Sequence, residues 1–511
     1  MKTLADLLAH VPAEQRIAVW GDTGVAISAP VVESALDVQP GGVFVARQGR
    51  SVDGHQFIAQ AIERGAVAVV GEQALHDLPL PYVQVRQAAY VLGPLAAAYY
   101  DFPSRRLVVA GVTGTDGKTT TTTLLHSVLN VASGGQAGCI STLAADLGGQ
   151  TADTGLHVTT PPAHQVQHYL AQMVANGLTH AVLEMTSHGL DQGRLHGVDI
   201  DVAVMTNVMH EHLDYHGTFE NYRAAKGMMF AMLASSQRTP GVPSISVVNA
   251  DDPSADYFAG FAADRVVRYS VEGRAADFVA RDMRHEPDGT RFTVDGVEYR
   301  LQLFGAFNVA NALATIAAAS ALGVETATIQ AGIGAVKALS GRMERIDEGQ
   351  NFTAIVDFAH TPNALKQALT AAHTVLEPGR RVIAVFGSAG LRDVEKRRLM
   401  AETSARLADI TVLTAEDPRT ESLDDILQMM AEGCESQGGV EGQTFIRVPD
   451  RGEALYRACQ MAQPGDIVLA CGKGHEQSMC FGTVEHPWDD RDALRAALRG
   501  APLRTLPTAA P

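Results

Sequence analysis

Short apolar runs alternate with helix-length stretches along most of the chain. Residues 43–46 (VFVA) and 66–70 (AVAVV) have the length and β-branched content of strands, and a helix is predicted between them near 57–64. Further strands are predicted at 107–112, 181–184, 202–206 and 244–249. After an Ala-rich helix over 308–322, more follow at 354–358, 381–386, 410–414 and 466–470. Strand–helix alternation of this kind predicts an α/β fold with largely parallel sheets. The last four strands each run into a polar or Gly-containing loop. Open α/β sheets bind ligands beyond the carboxyl ends of their strands, so those loops are where chemistry is expected.

The chain has 511 residues, too many for one core. Three domains are expected: 1–103, mixed α/β; 104–340, a central P-loop ATPase-like parallel sheet; and 341–511, Rossmann-like. Asp101-Phe102-Pro103-Ser104 reads as the first linker, because proline disfavours helix on its N-terminal side. No repeat of short period is present.

Charge narrows the partners. The formal net charge is -17, and an acidic surface repels nucleic acid and anionic membrane. Neither partner is expected, and a polyanionic substrate would need a local basic pocket. The five cysteines, Cys139, Cys434, Cys459, Cys471 and Cys480, are scattered without metal-type spacing, as small core residues of a reducing compartment would be. No stretch reaches the ~18 apolar residues of a membrane span, and the N-terminus lacks a leader pattern. A soluble cytoplasmic protein is the expectation.

One loop carries chemistry on its own. The strand at 107–112 leads into Gly114-Thr115-Asp116-Gly117-Lys118-Thr119-Thr120, and Lys118 opens a helix. A Gly-rich turn between strand and helix N-terminus cradles phosphate with backbone N–H groups and the positive helix end. Lys118 would reach the β/γ-phosphates and the Thr119 hydroxyl would hold Mg²⁺. The strict P-loop has glycine where this chain has Val112, so the loop is a variant.

Other groups are ambiguous alone. Glu184 ends a strand, where a carboxylate suits Mg²⁺ or its water shell but is as easily a solvated side chain. Glu211, His212, Asp214 and His216 crowd six residues, which fits metal ligation or an ordinary polar loop. Lys226 sits on a predicted helix, where a lone lysine is normally exposed.

The motifs in order remove much of that ambiguity. GTDGKTT (114–120), TTP (159–161), EMTSHGLDQGR (184–194), EHLDYHGTFENYRAAK (211–226), FGAFNVANALA (304–314), GRMERI (341–346), DFAHTPN (357–363), EDPRTE (416–421) and GKGHE (472–476) resemble the Mur ligases of bacterial cell-wall synthesis. The similarity is strongest to the MurE type, which adds the third amino acid of the peptidoglycan stem. It covers nearly the whole chain. It implies an ATP- and Mg²⁺-dependent amide ligase acting on UDP-MurNAc-L-Ala-D-Glu and a diamino acid, through an acyl phosphate. A monomer is expected, with a C-terminal domain that closes over ATP.

The resemblance also implies roles. Lys118, Glu184, His212 and Lys226 would be catalytic. Thr119, Glu184, His212 and Lys226 would serve the metal, Lys226 as a carbamate, because a cationic lysine would repel Mg²⁺ whereas a carbamate offers anionic oxygen. Asn308, Asn311, Arg342, Asp357 and His360 match nucleotide contacts. Thr159, Thr160, Thr186, Gln192 and Arg194 match contacts to the nucleotide-sugar peptide. Arg392, Glu416, Asp417, Pro418, Arg419, Gly472 and Glu476 match contacts to the incoming amino acid.

Two departures bear on specificity. The family's Asp-Ser-Arg near the uridine is missing around Glu33-Ser34, leaving Ser34, Arg50 and Ser51 as candidates. The Asp-Asn-Pro-Arg of diaminopimelate-adding members is Glu416-Asp417-Pro418-Arg419 here. Arg419 suits the distal carboxylate of diaminopimelate, whereas an extra acid at 417 suits the terminal ammonium of lysine or ornithine. Asp417 pointing elsewhere is the third alternative. A D-Ala-D-Ala-adding or folylpolyglutamate-type ligase is a competing reading, which the EDPR and GKGHE segments oppose. A non-catalytic nucleotide-sugar-binding paralogue is another, and the retained Lys118, Thr119, Glu184, His212 and Lys226 oppose it.

Overall fold

A computed structural model describes residues 2–49, 52–152, 159–209, 211–286, 289–303 and 305–509. They form two compact units. The first holds residues 1–269, 275–277 and 314–332; the second holds 270–274, 278–313 and 333–511. Three separate α/β sheets underlie them, the three-domain architecture expected.

One of these sheets, and the parallel core of the central one, lie in the first unit. A five-stranded sheet runs in the order Arg16–Trp20, Tyr82–Val85, Ala68–Gly71, Val43–Ala46, Val31–Val32. It is parallel except where Arg16–Trp20 pairs antiparallel with Tyr82–Val85. Its inner strands are buried on both faces, which is why they read as unbroken apolar runs. The central sheet is built around Val108–Thr113. That strand pairs in parallel with His180–Glu184 on one side and Val202–Met205 on the other. Ile245–Asn249 and Ala137–Ile140 extend the parallel core outward. The carboxyl ends of the three middle strands therefore lie side by side.

The second unit carries a six-stranded sheet in the order Glu344–Ile346, Thr353–Asp357, Ile467–Cys471, Val382–Phe386, Ile410–Leu413, Phe445–Arg447. All pairs but the first are parallel. Helices cover both faces, over two separate apolar clusters. An antiparallel run, Phe278–Glu286, Gly289–Val294 and Val297–Leu301, was not anticipated. Its strands place Arg and Glu on the exposed face, so alternation is carried by charge and no apolar run marks it.

Four of the five cysteines are buried and all five are free, in line with their reading as core residues. Among the described residues no helix is long and apolar enough to cross a membrane.

The first unit contains one very close backbone approach. Gly93, in the helix Ala88–Tyr99, lies against residues 196–197; a Cβ on Gly93 would sit 2.0 Å from the carbonyl oxygen of His196. That oxygen belongs to main chain and cannot swing aside. Gly93→Ala should therefore lower the first thermal unfolding transition, at a cost of ~1–3 kcal/mol of overpacking. Differential scanning calorimetry checks it, and an unshifted transition would contradict the close approach.

Candidate active site

The phosphate loop starts two residues later than the strict pattern requires. Val112 is still strand, paired with Glu184 on one side and Val204 on the other. The loop begins at Gly114, whose φ is +154°, and a Cβ there would lie 1.8 Å from Thr206 Oγ1. Gly117 (φ +82°) then caps the helix Lys118–Ala132. Val112 and Thr113 thus continue the strand where the strict loop would begin, and the turn, helix N-terminus and lysine survive.

The loop is braced by its neighbour. Thr206 Oγ1 and Asn207 Nδ2 donate to the Asp116 carbonyl, and the Asp116 N–H donates to Asn207 Oδ1. The Thr115 hydroxyl accepts from the Met209 N–H and pairs with Tyr222 Oη at 3.0 Å. Lys118 Nζ turns back onto the carbonyls of Gly114 (3.1 Å) and Thr115 (2.7 Å). Thr120 is buried in the first turn.

Glu184 lies at the next strand end, 2% exposed. Its carboxylate accepts from Thr119 Oγ1 (3.1 Å), the Thr142 N–H (3.1 Å) and Thr142 Oγ1 (3.0 Å). Among the described residues no cation pairs with it. A buried carboxylate fronted by hydroxyls and lacking a basic partner is a donor set that fits a hard divalent ion. No group of three or more His, Cys, Asp or Glu side chains among the described residues is arranged to hold a metal ion by itself. Such an ion would take its remaining oxygens from phosphate and water, as Mg²⁺ commonly does.

Lys226 is not the exposed helical lysine that position alone would suggest. It is 1% exposed, on the helix Phe219–Ser235. Nζ donates to the Gly114 carbonyl at 2.6 Å and lies 4.4 Å from the centre of the Tyr222 ring. Burial, and then the like charge of Lys118, holds its amine well below the usual lysine range. His212 has φ +55° and heads the short helix Leu213–His216. Its ring stands 4.7 Å from that of His188 and 6.0 Å from that of Tyr222, so Tyr222 neighbours both His212 and Lys226.

A polar row extends from this centre. Thr160 Oγ1 donates to the Glu184 carbonyl and pairs with Thr186 Oγ1 at 3.0 Å. Arg194 donates to the Thr160 carbonyl and to Gln192 Oε1, and Gln192 Nε2 donates to Tyr215 Oη. Thr159 accepts from Thr142 Oγ1. Glu33 and Arg47 lie close enough to Arg194 to act on its charge, which brings the Glu33-Ser34 turn to the same row. Ser34 is half-buried there. Arg50 and Ser51 lie outside the described residues.

The second unit gathers two further groups. Asn311 Nδ2 donates to Asn308 Oδ1, both buried on the helix Ala306–Ala321. Asp357 accepts from the N–H groups of Met343 and Ala359, pinning the turn that follows Arg342. The Arg342 guanidinium stacks 4.2 Å from the Phe358 ring centre, with His360 and His475 beside that ring. Burial, seconded by Lys396, pushes His360 down to about 3, so its imidazole is neutral.

The remaining group surrounds residues 416–419. Asp417 Oδ1 accepts from Lys473 Nζ (3.0 Å) and from the Cys480 N–H (2.9 Å). Lys473 is fully buried and also pairs with Glu476 (2.6 Å). Burial disfavours its charge, but Glu476 and Asp417 outweigh that and raise its pKa. Arg419 donates to the Gly390 carbonyl through one nitrogen, Nη1. Pro418 is buried, and Arg392 is exposed. Glu416 Oε2 is buried with no hydrogen-bond partner, and Gly472 (φ +110°) backs onto it. Burial pushes the Glu416 carboxyl up to about 7, against the pull of Lys396, Arg451 and Lys473.

Several of these partners carry no motif that sequence reasoning used. Thr142 follows the strand Ala137–Ile140 and could have been found as another strand-end hydroxyl. Asn207 lies just past the strand predicted at 202–206 and carried no assigned part. Tyr222 and Lys473 were inside quoted motifs without an assigned part. Arg451 gave no local signal.

Comparison with known proteins agrees with this arrangement. Residues 35–100 match the Mur ligase family catalytic domain, 112–319 the Mur ligase middle domain, and 341–474 the Mur ligase glutamate ligase domain. The UDP-N-acetylmuramyl-tripeptide synthetase of Roseiflexus sp. (strain RS-1) is 44% identical over 484 residues, covering 92% of this chain and 94% of that protein. The UDP-N-acetylmuramoyl-L-alanyl-D-glutamate–2,6-diaminopimelate ligase of Geobacillus thermodenitrificans (strain NG80-2) is 41% identical over 466 residues, covering 90% and 93%. A solved structure of a UDP-N-acetylmuramoyl-L-alanyl-D-glutamate–2,6-diaminopimelate ligase superposes with a TM-score of 0.66 at 28% identity, over 98% of this chain and 99% of that one. The chain belongs to the Mur ligase family, ATP-dependent enzymes that form amide bonds.

Proposed function

We propose that this ligase joins meso-diaminopimelate to UDP-MurNAc-L-Ala-D-Glu in peptidoglycan precursor synthesis, with residues 1–103, 104–340 and 341–511 serving sugar nucleotide, ATP and amino acid. The observation that carries the reading is the convergence of the Gly114–Thr119 loop, the uncompensated Glu184 and the buried Lys226 at three adjacent elements of the first unit. Relatives named as diaminopimelate ligases over nine-tenths of the chain support it.

The loop N–H groups and Lys118 receive the β- and γ-phosphates; Lys118 exchanges its two carbonyl partners for phosphate oxygen. The substrate carboxylate attacks the γ-phosphorus, forming an acyl phosphate and releasing ADP. The amine of the incoming amino acid then attacks the acyl carbon, losing a proton as phosphate departs. Positioning and charge neutralisation dominate the first step. Thr119 and Glu184 would hold Mg²⁺, which when bound neutralises charge on the phosphates. His212 would stand at the metal's edge. The low proton affinity of Lys226 leaves its amine nucleophilic, the state that reacts with CO2. The resulting carbamate would supply anionic oxygen where a lysine cation would repel the metal.

Thr159, Thr160, Thr186, Gln192, Arg194 and Ser34 would line the path of the sugar-nucleotide peptide. Asn308, Asn311, Arg342, Asp357 and His360 would hold nucleotide; the neutral His360 suits packing on a base. The conflict at 417 resolves in favour of diaminopimelate. Asp417 is committed to Lys473 and the Cys480 N–H, so its charge is spent internally and does not oppose a second carboxylate. Arg419 keeps four of its five N–H donors for that carboxylate. Arg392, Glu416, Pro418, Gly472 and Glu476 would complete the amino-acid site.

With ATP, Mg²⁺ and UDP-MurNAc-dipeptide, phosphate release should follow addition of diaminopimelate. Lysine and ornithine, lacking the distal carboxylate, should show kcat/KM at least about 100-fold lower. A preference for lysine or ornithine would reverse the assignment, and no release with any of the three would sink the ligase reading.

Lys226→Met keeps volume but cannot be carbamylated. Turnover should fall by at least about 100-fold while nucleotide affinity by calorimetry changes little. Near-normal turnover would remove the carbamate.

A further inference from the structure

Arg451 is fully buried at the start of the helix Arg451–Met461, far in sequence from every motif above. Its guanidinium grips Asp490 bidentately, Nε to Oδ1 at 2.7 Å and Nη2 to Oδ2 at 2.6 Å. Asp490, itself fully buried, also accepts from Trp488 Nε1 at 2.8 Å. The other face of the guanidinium donates to two carbonyls: Nη1 to Ala415 at 3.1 Å and Nη2 to Cys471 at 2.7 Å.

Those carbonyls belong to the residues immediately before Glu416 and Gly472. They follow the strand Ile410–Leu413 and end the strand Ile467–Cys471, which are not neighbours; Val382–Phe386 lies between them. No backbone ladder joins the two ends directly, and each pairs with the middle strand only as far as Ala470 and Thr414, so the residues just beyond need another tie. The space there is tight: a Cβ on Gly472 would lie 2.4 Å from Glu416 Oε2. The planar fork suits this job, offering rigid, diverging donors that lysine lacks.

We propose that Arg451 is a positioning residue for the incoming amino acid, tying the Glu416 and Gly472 loops at a fixed separation while Asp490 balances its charge. The inference rests on the amino-acid site proposed above and adds a residue that touches no substrate. Arg451 also lies near enough to oppose the loss of charge at Glu416, as do Lys396 and Lys473, while Asp417 acts the other way.

Two variants test it in the full-length enzyme. Arg451→Met combined with Asp490→Leu removes both buried charges together, an exchange that buried pairs often tolerate without loss of stability. Arg451→Lys keeps the charge and loses the fork. In both, KM for diaminopimelate should rise, by about tenfold or more in the double variant, with KM for ATP and for UDP-MurNAc-dipeptide within about twofold of wild type. Arg451→Lys should be intermediate, and it decides the matter should the double variant not fold. An equal change in all three constants, or no change in any, would overturn the proposal. Amide hydrogen exchange supplies a readout independent of turnover: residues 415–419 and 471–476 should exchange about tenfold faster in the variants, with the rest of the sheet unaltered. Unchanged exchange there would equally overturn it. A wild-type enzyme inactive with every diamino acid would count against the ligase reading, and the exchange result would still decide the brace.

Discussion

The pairing of Val108–Thr113 with a strand on each side is the constraint from which the central site follows. Its neighbours, His180–Glu184 and Val202–Met205, run parallel to it, so all three chains leave the sheet at the same edge. Three loops distant in sequence must therefore share one small volume. The first brings glycines and Lys118, the second Glu184, the third the segment that anchors Asp116. A parallel sheet buried on both faces allows no register slip without exposing its apolar residues. The alignment of a carboxylate with a phosphate loop is thereby enforced by apolar packing some distance away.

Burial then sets the chemistry of what the sheet assembles. Glu184 is kept from water yet given only hydroxyl and N–H partners. Lys226 is enclosed beside another lysine, with a carbonyl and an aromatic face against its amine and the more weakly acting charges of Glu211 and Asp116 nearby. Each state is costly in isolation. The carboxylate and an amine of lowered proton affinity both front the phosphate loop. The acidic surface of the whole chain does not conflict with a polyanionic substrate. Lys118 stands where strand ends converge, and the loop carbonyls that now hold it are weaker partners than phosphate.

Most of this frame was legible in the sequence because buried parallel strands are short, apolar and punctuated. Val43–Ala46 was read to the residue, and the strands before the loop, before Glu184 and the four central strands of the C-terminal sheet within a residue or two, whereas its edge strands Glu344–Ile346 and Phe445–Arg447 were not read. Motifs located the candidate residues but not their surroundings. Nothing local marks Lys226 as buried, since its helix has apolar residues on most sides; only the resemblance singled it out. The part played by Thr142 required knowing which strand end faces Glu184. The antiparallel strands between Phe278 and Leu301 went unread because their periodicity lies in charged residues.

Position 417 illustrates why a motif letter does not settle specificity. An aspartate near an amino-acid site looks like a receptor for an ammonium group. Its meaning depends on where its own charge is already compensated, and here Lys473, drawn from the GKGHE segment, takes it up. Glu416, one residue earlier, has the opposite standing. It is buried, has an unpartnered oxygen, and holds its proton far more readily than an ordinary glutamate. Of two adjacent acids, one is therefore a structural counter-ion and the other remains open to a ligand. Arg451 and Asp490, which no motif mentions, belong to the same arrangement, because an uncommitted carboxylate at a strand end is useful only if the end itself is held still. In the amino-acid site proposed above, recognition would depend on pairing among residues 416–419, 451, 471–476 and 490 as a set.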